Sequence, residues 1–270
     1  MGSYDFPAMT GFRGSLLSGL LRNPFSQVGL CYARRGTMSN VMPTSTSREC
    51  DPHLLSLAVH EFRTPASVVG GYLRMLQRDT TLNERQRKMI DEAEKSCARL
   101  VEIVQELSDI AKAEAGTLEL GREPLDIFTL AAEVAEHVQE GRDRGVRFEI
   151  RGMGTGARMT GDAMRLRKAF DAIFRAILRE KTGQTTVIAE CRRERLEGRS
   201  AALVIIADEE SVAAAYDSPA GVLYEKRGGL GLALPLARRV IERLGGDVWS
   251  PAEPEGLQKN AIVIRFPITE

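Results

Sequence analysis

No run of apolar residues in this sequence is long enough to cross a bilayer. The best, Ser15 to Leu21, is far too short, and Arg13 and Arg22 flank it. Net charge is also missing, because 37 Lys and Arg are matched by 37 Asp and Glu. No global field draws the chain toward nucleic acid or an anionic membrane; only local charge could do so, and no nucleic-acid partner is expected. Cysteine is sparse and scattered (Cys31, Cys50, Cys97, Cys191), with no Cys-x-x-Cys pair. That spacing argues against a zinc site or a disulfide framework and suits a reducing cytoplasm. Histidine is rarer still, at His53, His60 and His137 only. What remains, 43% apolar and 27% charged, is the composition of an ordinary globular protein.

The pattern divides the chain into three parts. Residues 1–50 are rich in Gly, Ser, Thr, Asn and Pro and read as a disordered leader. Within them the basic, weakly amphipathic segment Gly11 to Arg35 also has the look of a targeting peptide or a membrane-surface helix. Residues 51–120 read as a helical hairpin. Leu54, Leu57, Ala58, Phe62, Pro65, Val69, Tyr72 and Leu76 recur at helical spacing from Pro52 to Arg78. Asp79 to Asn83 breaks that helix. A second runs from Glu84 to Ala115 with Ile90, Ala93, Cys97, Leu100, Val101, Val104, Leu107 and Ala111 on one face, and Gly116 stops it. One hairpin cannot cover both stripes, so a homodimer closing a four-helix bundle is expected.

Residues 121–270 alternate between helical and strand patterns. Asp126 to Glu140, Asp162 to Glu180 and Leu232 to Leu244 read as helices. Val146 to Ile150, Thr185 to Cys191, Ala201 to Ala207 and Ala261 to Phe266 read as strands, with a short one at Asp247 to Ser250. The class is therefore α+β: a helical hairpin followed by an α/β sandwich with helices on one face of a mixed sheet.

The segment His60-Glu-Phe-Arg-Thr-Pro65 carries the chemistry. His60 lies two residues from both Ala58 and Phe62, which turns it away from the apolar face. Glu61 is placed to orient or deprotonate the imidazole so that it attacks phosphorus as a nucleophile. Thr64, one turn on, shares the face of His60 and could align a water. Pro65 removes a backbone donor. His53 and His137 lack this context. The segment resembles the phosphoacceptor box of sensor histidine kinases. Ile110-Ala-Lys-Ala-Glu-Ala-Gly-Thr-Leu-Glu-Leu120 and Glu123-Pro-Leu-Asp126 resemble the connector that follows it in that family.

From about Glu123 onward the chain resembles the ATP-binding domain of the same family, the GHKL fold, which implies ATP and Mg²⁺ as cofactors. The elements that would hold them are eroded. The magnesium-binding asparagine falls on Ala176 and a second frequent asparagine on Ala172; a methyl group cannot hold Mg²⁺, and no metal ligand is assigned. The Asp-x-Gly-x-Gly element reads Asp208-Glu-Glu-Ser-Val212: the adenine-binding aspartate is kept and both glycines are replaced. The lid that should follow is short. The last glycine turn keeps Gly229 and Gly231, with Arg227 at the place of the first glycine.

The resemblance implies phosphorylation of His60 and phosphoryl transfer to an aspartate of a response regulator receiver domain, with autokinase activity weakened. Three readings stay open: an ATP-dependent autokinase, a phosphotransferase that exchanges phosphate between receivers, and a non-catalytic dimeric binding module that regulates another kinase or receiver.

Overall fold

The structure, a computed structural model, describes residues 52–196, 198–252 and 260–269. The leader, the targeting-peptide alternative, Cys31 and Cys50 lie outside the described residues. Among those described, no helix is long and apolar enough to cross a membrane.

The hairpin consists of α1 (Pro52–Gln77) and α2 (Glu84–Glu114). The turn between them is built by local polar groups. Asp79 accepts from the backbone and hydroxyl of Thr81, which leads into a capping box in which the Asn83 side chain accepts from Gln86 N and Gln86 Oε1 accepts from Asn83 N. Gly116, at φ 75°, ends the helix with its amide on Ala113 O. α1 continues through Pro65.

Which face meets which is not what helical spacing alone suggests. The two helices meet along a narrow seam of small residues: Val59, Gly70 and Cys97 are buried, and the Cys97 thiol lies 3.3 Å from Ala66 O. A methyl group at Gly70 would stand 3.4 Å from that sulfur. The broader stripe of Leu57, Phe62, Val69, Tyr72 and Leu76, together with Leu100 and Val101 on α2, stays exposed.

Beyond the hairpin, β1 (Glu123–Asp126) pairs antiparallel with β3 (Arg158–Gly161), and five strands form the main sheet in the order β2-β4-β5-β7-β6. These are β2 (Val146–Gly152), β4 (Thr185–Leu196), β5 (Arg199–Asp208), β6 (Asp247–Trp249) and β7 (Ile262–Pro267). β2 and β4 run parallel, bridged by β3 and α4 (Ala163–Glu180); every other pair is antiparallel, so the sheet is mixed. The β1–β3 ribbon is an addition to the sequence reading. Its strands are four residues long and carry Pro124 and Gly161, too little for a period-2 pattern to show.

On one face α3 (Ile127–His137), α4 and α6 (Ala233–Arg243) cover a core centred on Phe128, Phe170, Phe174 and Phe266, all essentially inaccessible. Each such side chain contributes about 1.5–3 kcal/mol by leaving water. The opposite face is not bare. Ala201 to Ala207 is apolar at every position because alternate residues face two cores: Ala202, Val204 and Ile206 the first, Leu203, Ile205 and Ala207 the second. The second is closed by Val212 and Ala215 of a short helix, α5 (Val212–Asp217).

The sandwich is seated directly on the hairpin. Ala113, Leu118 and Val240 form a small apolar cluster between α2 and α6. Arg239 pairs with Glu114, Arg243 donates to the carbonyl of Gly116 at 2.9 Å, and Arg165 on α4 donates to Asp109 on α2 at 2.9 Å.

Candidate functional site

His60 sits on α1 beside the buried Val59, with its own side chain 76% exposed. Its Nδ1 lies 3.6 Å from Glu61 Oε1, a charge contact longer than a hydrogen bond. With Nδ1 turned toward a carboxylate, Nε2 is the nitrogen presented to solvent, which suits attack on a phosphorus brought from outside. Glu61 is 72% exposed, so it can follow the imidazole. Thr64 is exposed one turn further on, on the side that His60 occupies. Arg63 reaches across to α2, donating to Gln105 Oε1 at 2.7 Å. His137, by contrast, points its Nδ1 at Glu133 O of its own helix.

Asp208, Gly229 and Gly231 lie elsewhere, gathered around α4 and the start of α6. Asp208 ends β5, and its carboxylate accepts from Lys181 Nζ at 2.6 Å and from the Thr185 hydroxyl at 3.4 Å. Lys181 is only 8% exposed, so the acceptor that would read an adenine amino group is held by a buried ammonium from this chain. The residue before it, Glu180, accepts from Gly228 N at 3.3 Å and so brings the glycine turn to the same helix end. Gly228 (φ 64°) is pressed against Ala176, where a Cβ on Gly228 would stand 2.7 Å from the Ala176 backbone. Gly229 and Gly231 also have positive φ, and Arg99 from α2 donates to the carbonyl of Leu230 between them at 3.4 Å.

The residues present do not fit Mg-ATP. Ala176 is fully buried and Ala172 nearly so, and neither carries an oxygen. Among the described residues no three His, Cys, Asp or Glu cluster as metal ligands. Directly after Asp208 the chain turns away from the helical face, because Val212 and Ala215 are committed to the core on the far side of the sheet. Val212 stands at a glycine position of the family element and is 5% exposed. Val212, where the resemblance leads one to expect glycine, thus supplies an apolar contact to the second core.

A cleft of about 1180 Å³ separates α2 from α3, α4 and α6, with Arg99, Glu106, Asp109, Arg165 and Lys168 on its walls. Burial raises the Glu106 carboxyl above its ordinary range, with Arg99 pulling the other way. Its Oε2 has no partner among the described residues. Lys181, Asp109 and Arg165 escape sequence reasoning: a cation at a helix end or a charge on a helix face is ordinarily solvated.

Residues 53–116 match the His Kinase A (phospho-acceptor) domain. The sensor protein GacS of Pseudomonas syringae pv. syringae is 26% identical over 224 residues, covering 77% of this chain and 24% of GacS. The aerobic respiration control sensor protein ArcB of Escherichia coli is 27% identical over 210 residues, 74% of this chain and 26% of ArcB. The chain spans about a quarter of the length of these curated relatives. Full-length ShkA, solved in complex with AMPPNP, superposes with a TM-score of 0.60 at 24% identity over 81% of this chain and 46% of ShkA, which establishes a shared fold. The chain therefore carries the phospho-acceptor hairpin of the histidine kinases. An α/β sandwich like their ATP-binding part follows it.

Proposed function

We propose that this chain works in two-component signalling as a histidine phosphotransferase, with His60 as the phosphoacceptor and a receiver-domain aspartate as its exchange partner. The observation that supports this reading most is a contrast within one chain. The His60, Glu61 and Thr64 constellation is exposed, whereas Asp208 is engaged by the buried Lys181 and Gly228 is pressed against Ala176. A transfer that draws on an existing phosphoryl donor needs the first and not the second.

In the forward step Nε2 of His60 forms a bond to phosphorus as the bond from phosphorus to the aspartyl oxygen breaks. The electron pair of that bond leaves with the receiver's carboxylate. Glu61 offsets the positive charge that develops on the imidazole, and Thr64 is placed to position a water when the phosphoryl group is instead hydrolysed. The reverse step returns the group to a second receiver. Weak ATP-dependent autophosphorylation is not required by this scheme.

A second copy of the chain is the partner that the hairpin calls for. Leu57, Phe62, Val69, Tyr72 and Leu76 with Leu100 and Val101 leave an apolar band that neither the hairpin nor the sandwich covers. Closing it into a four-helix bundle removes it from water. A cytoplasmic setting fits a partner that must diffuse to His60.

Incubation with a phosphorylated receiver is the test. Label should pass to this protein in an acid-labile, base-stable form and be absent from His60→Ala. Persistence of label in that variant would falsify the role of His60. No label from any receiver or from ATP would leave the binding-module reading in its place.

A further inference from the structure

A continuous chain of polar contacts runs from the helix of His60 into the sandwich. On α1, Arg63 Nη2 donates to Gln105 Oε1 at 2.7 Å. On α2, one turn of helix later, Gln105 Nε2 donates to Asp109 Oδ1 at 3.1 Å. The other oxygen of Asp109 accepts from Arg165 Nη1 on α4 at 2.9 Å. Arg165 in turn rests on Asp162, the residue capping α4, which also accepts from Gly121 N in the connector at 2.9 Å. Asp109 and Asp162 are each only 9% exposed.

Each link dictates the orientation of the next. Both oxygens of Asp109 are in use as acceptors, one for each neighbour. The amide of Gln105 must therefore turn its NH₂ toward Asp109, which leaves its oxygen, and only its oxygen, for Arg63. Because Gln105 is neutral, the guanidinium is held without being cancelled. Arg63 lies three residues after His60, so a guanidinium that bonds to a neutral amide and makes no ion pair among the described residues is placed one helical turn from the acceptor imidazole. Such a group can bind the oxygens of a phosphoryl group in flight or at rest on His60.

We infer that Asp109 and Arg165 are positioning residues: through Gln105 they make the seating of the sandwich on the hairpin set the place of the Arg63 guanidinium beside His60. The inference rests on the phosphotransfer reading above. It gives the sandwich a task that needs no nucleotide, namely to hold the acceptor face in working order from behind.

The test uses the full chain with two readouts. One is the Arg63 Nε–H resonance in protein labelled on arginine nitrogen, recorded without any receiver. The other is the rate of phosphoryl transfer from a phosphorylated receiver to His60, with receiver affinity measured separately. Arg165→Ala, which touches nothing on α1, should shift or broaden the Arg63 signal and slow transfer about tenfold, the loss of one charge-assisted contact, with receiver affinity unchanged. Gln105→Ala cuts the chain on an exposed helix surface, where folding is not at risk, and should do the same. Combining the two should slow transfer no further than either alone, because the links act in series. Arg165→Lys should recover part of the rate. Wild-type transfer in both single variants, or an Arg63 signal indifferent to Arg165→Ala, overturns the relay. A wild-type chain that takes up no phosphoryl group overturns the phosphotransfer reading itself, and the positioning role with it.

Discussion

Lys181 and Asp208 form a 2.6 Å ion pair in which the lysine is 8% exposed, and this pair stands where the family resemblance places adenine recognition. Removing one partner of a buried pair strands the other, whereas replacing both with apolar groups of similar volume is often neutral. Asp208→Ala should therefore lower stability by about 3 kcal/mol in urea unfolding. Lys181→Met combined with Asp208→Leu should recover most of that loss. Calorimetry with Mg-ATP should show no tight binding to the wild type. Low-micromolar affinity that disappears in Asp208→Ala would show a working adenine site.

Gly228 closes the same region from the other side. Its φ of 64° and the 2.7 Å approach of a built Cβ to the Ala176 backbone are two separate penalties for any side chain. Gly228→Ala should cost at least about 2 kcal/mol in denaturant unfolding. Gly229→Ala serves as the control, since it shares the positive φ but has open space around its Cβ, and it should cost less.

The exposed band on the hairpin predicts how the proposed dimer can be broken. Leu100 is 58% exposed, whereas Val104 on the same helix is half-buried within one chain. Leu100→Asp should give a folded monomer in light scattering at micromolar concentration. Val104→Asp should unfold the hairpin as well, which circular dichroism would detect. A wild-type chain that already runs as a monomer would remove the bundle from the proposal.

Glu106 makes stability depend on pH in the sense opposite to most carboxylates. Its pKa is raised in the folded chain by burial, so the native state holds the proton longer than the unfolded state does. Its contribution is fully present below the unfolded value of 4.5 and is lost as pH rises through the higher folded value. Arg99, Glu102 and Lys168 are the charged groups that face it. Glu106→Gln should flatten that part of the profile in thermal unfolding followed across the carboxylate range. An unchanged slope would mean that the buried oxygen is solvated in solution.

Much of the hairpin could be read from the chain because its determinants are local. Helical spacing, the Asn83 cap, the Gly116 stop and the His60 box each lie within a few residues, and the backbone obeys them wherever the segment is placed. The strands Thr185 to Cys191 and Ala201 to Ala207 were legible for the same reason, although β4 and β5 extend further. The β1–β3 ribbon was not, since its two strands pair across the length of α3 and β2 and carry no period of their own.

The sequence by itself determined the kinds of elements, the acceptor box and the presence of alanine at 172 and 176, where the family resemblance leads one to expect asparagine. Only the tertiary structure decided what engages Asp208 and which other charges pair. Lys181 meets Asp208, Arg165 meets Asp109, and Val212 turns to the far side of the sheet through packing between elements distant in the chain. Those partners are chosen by burial, because a charge or an apolar group withdrawn from water must find its complement nearby, and no local pattern records where that complement will be.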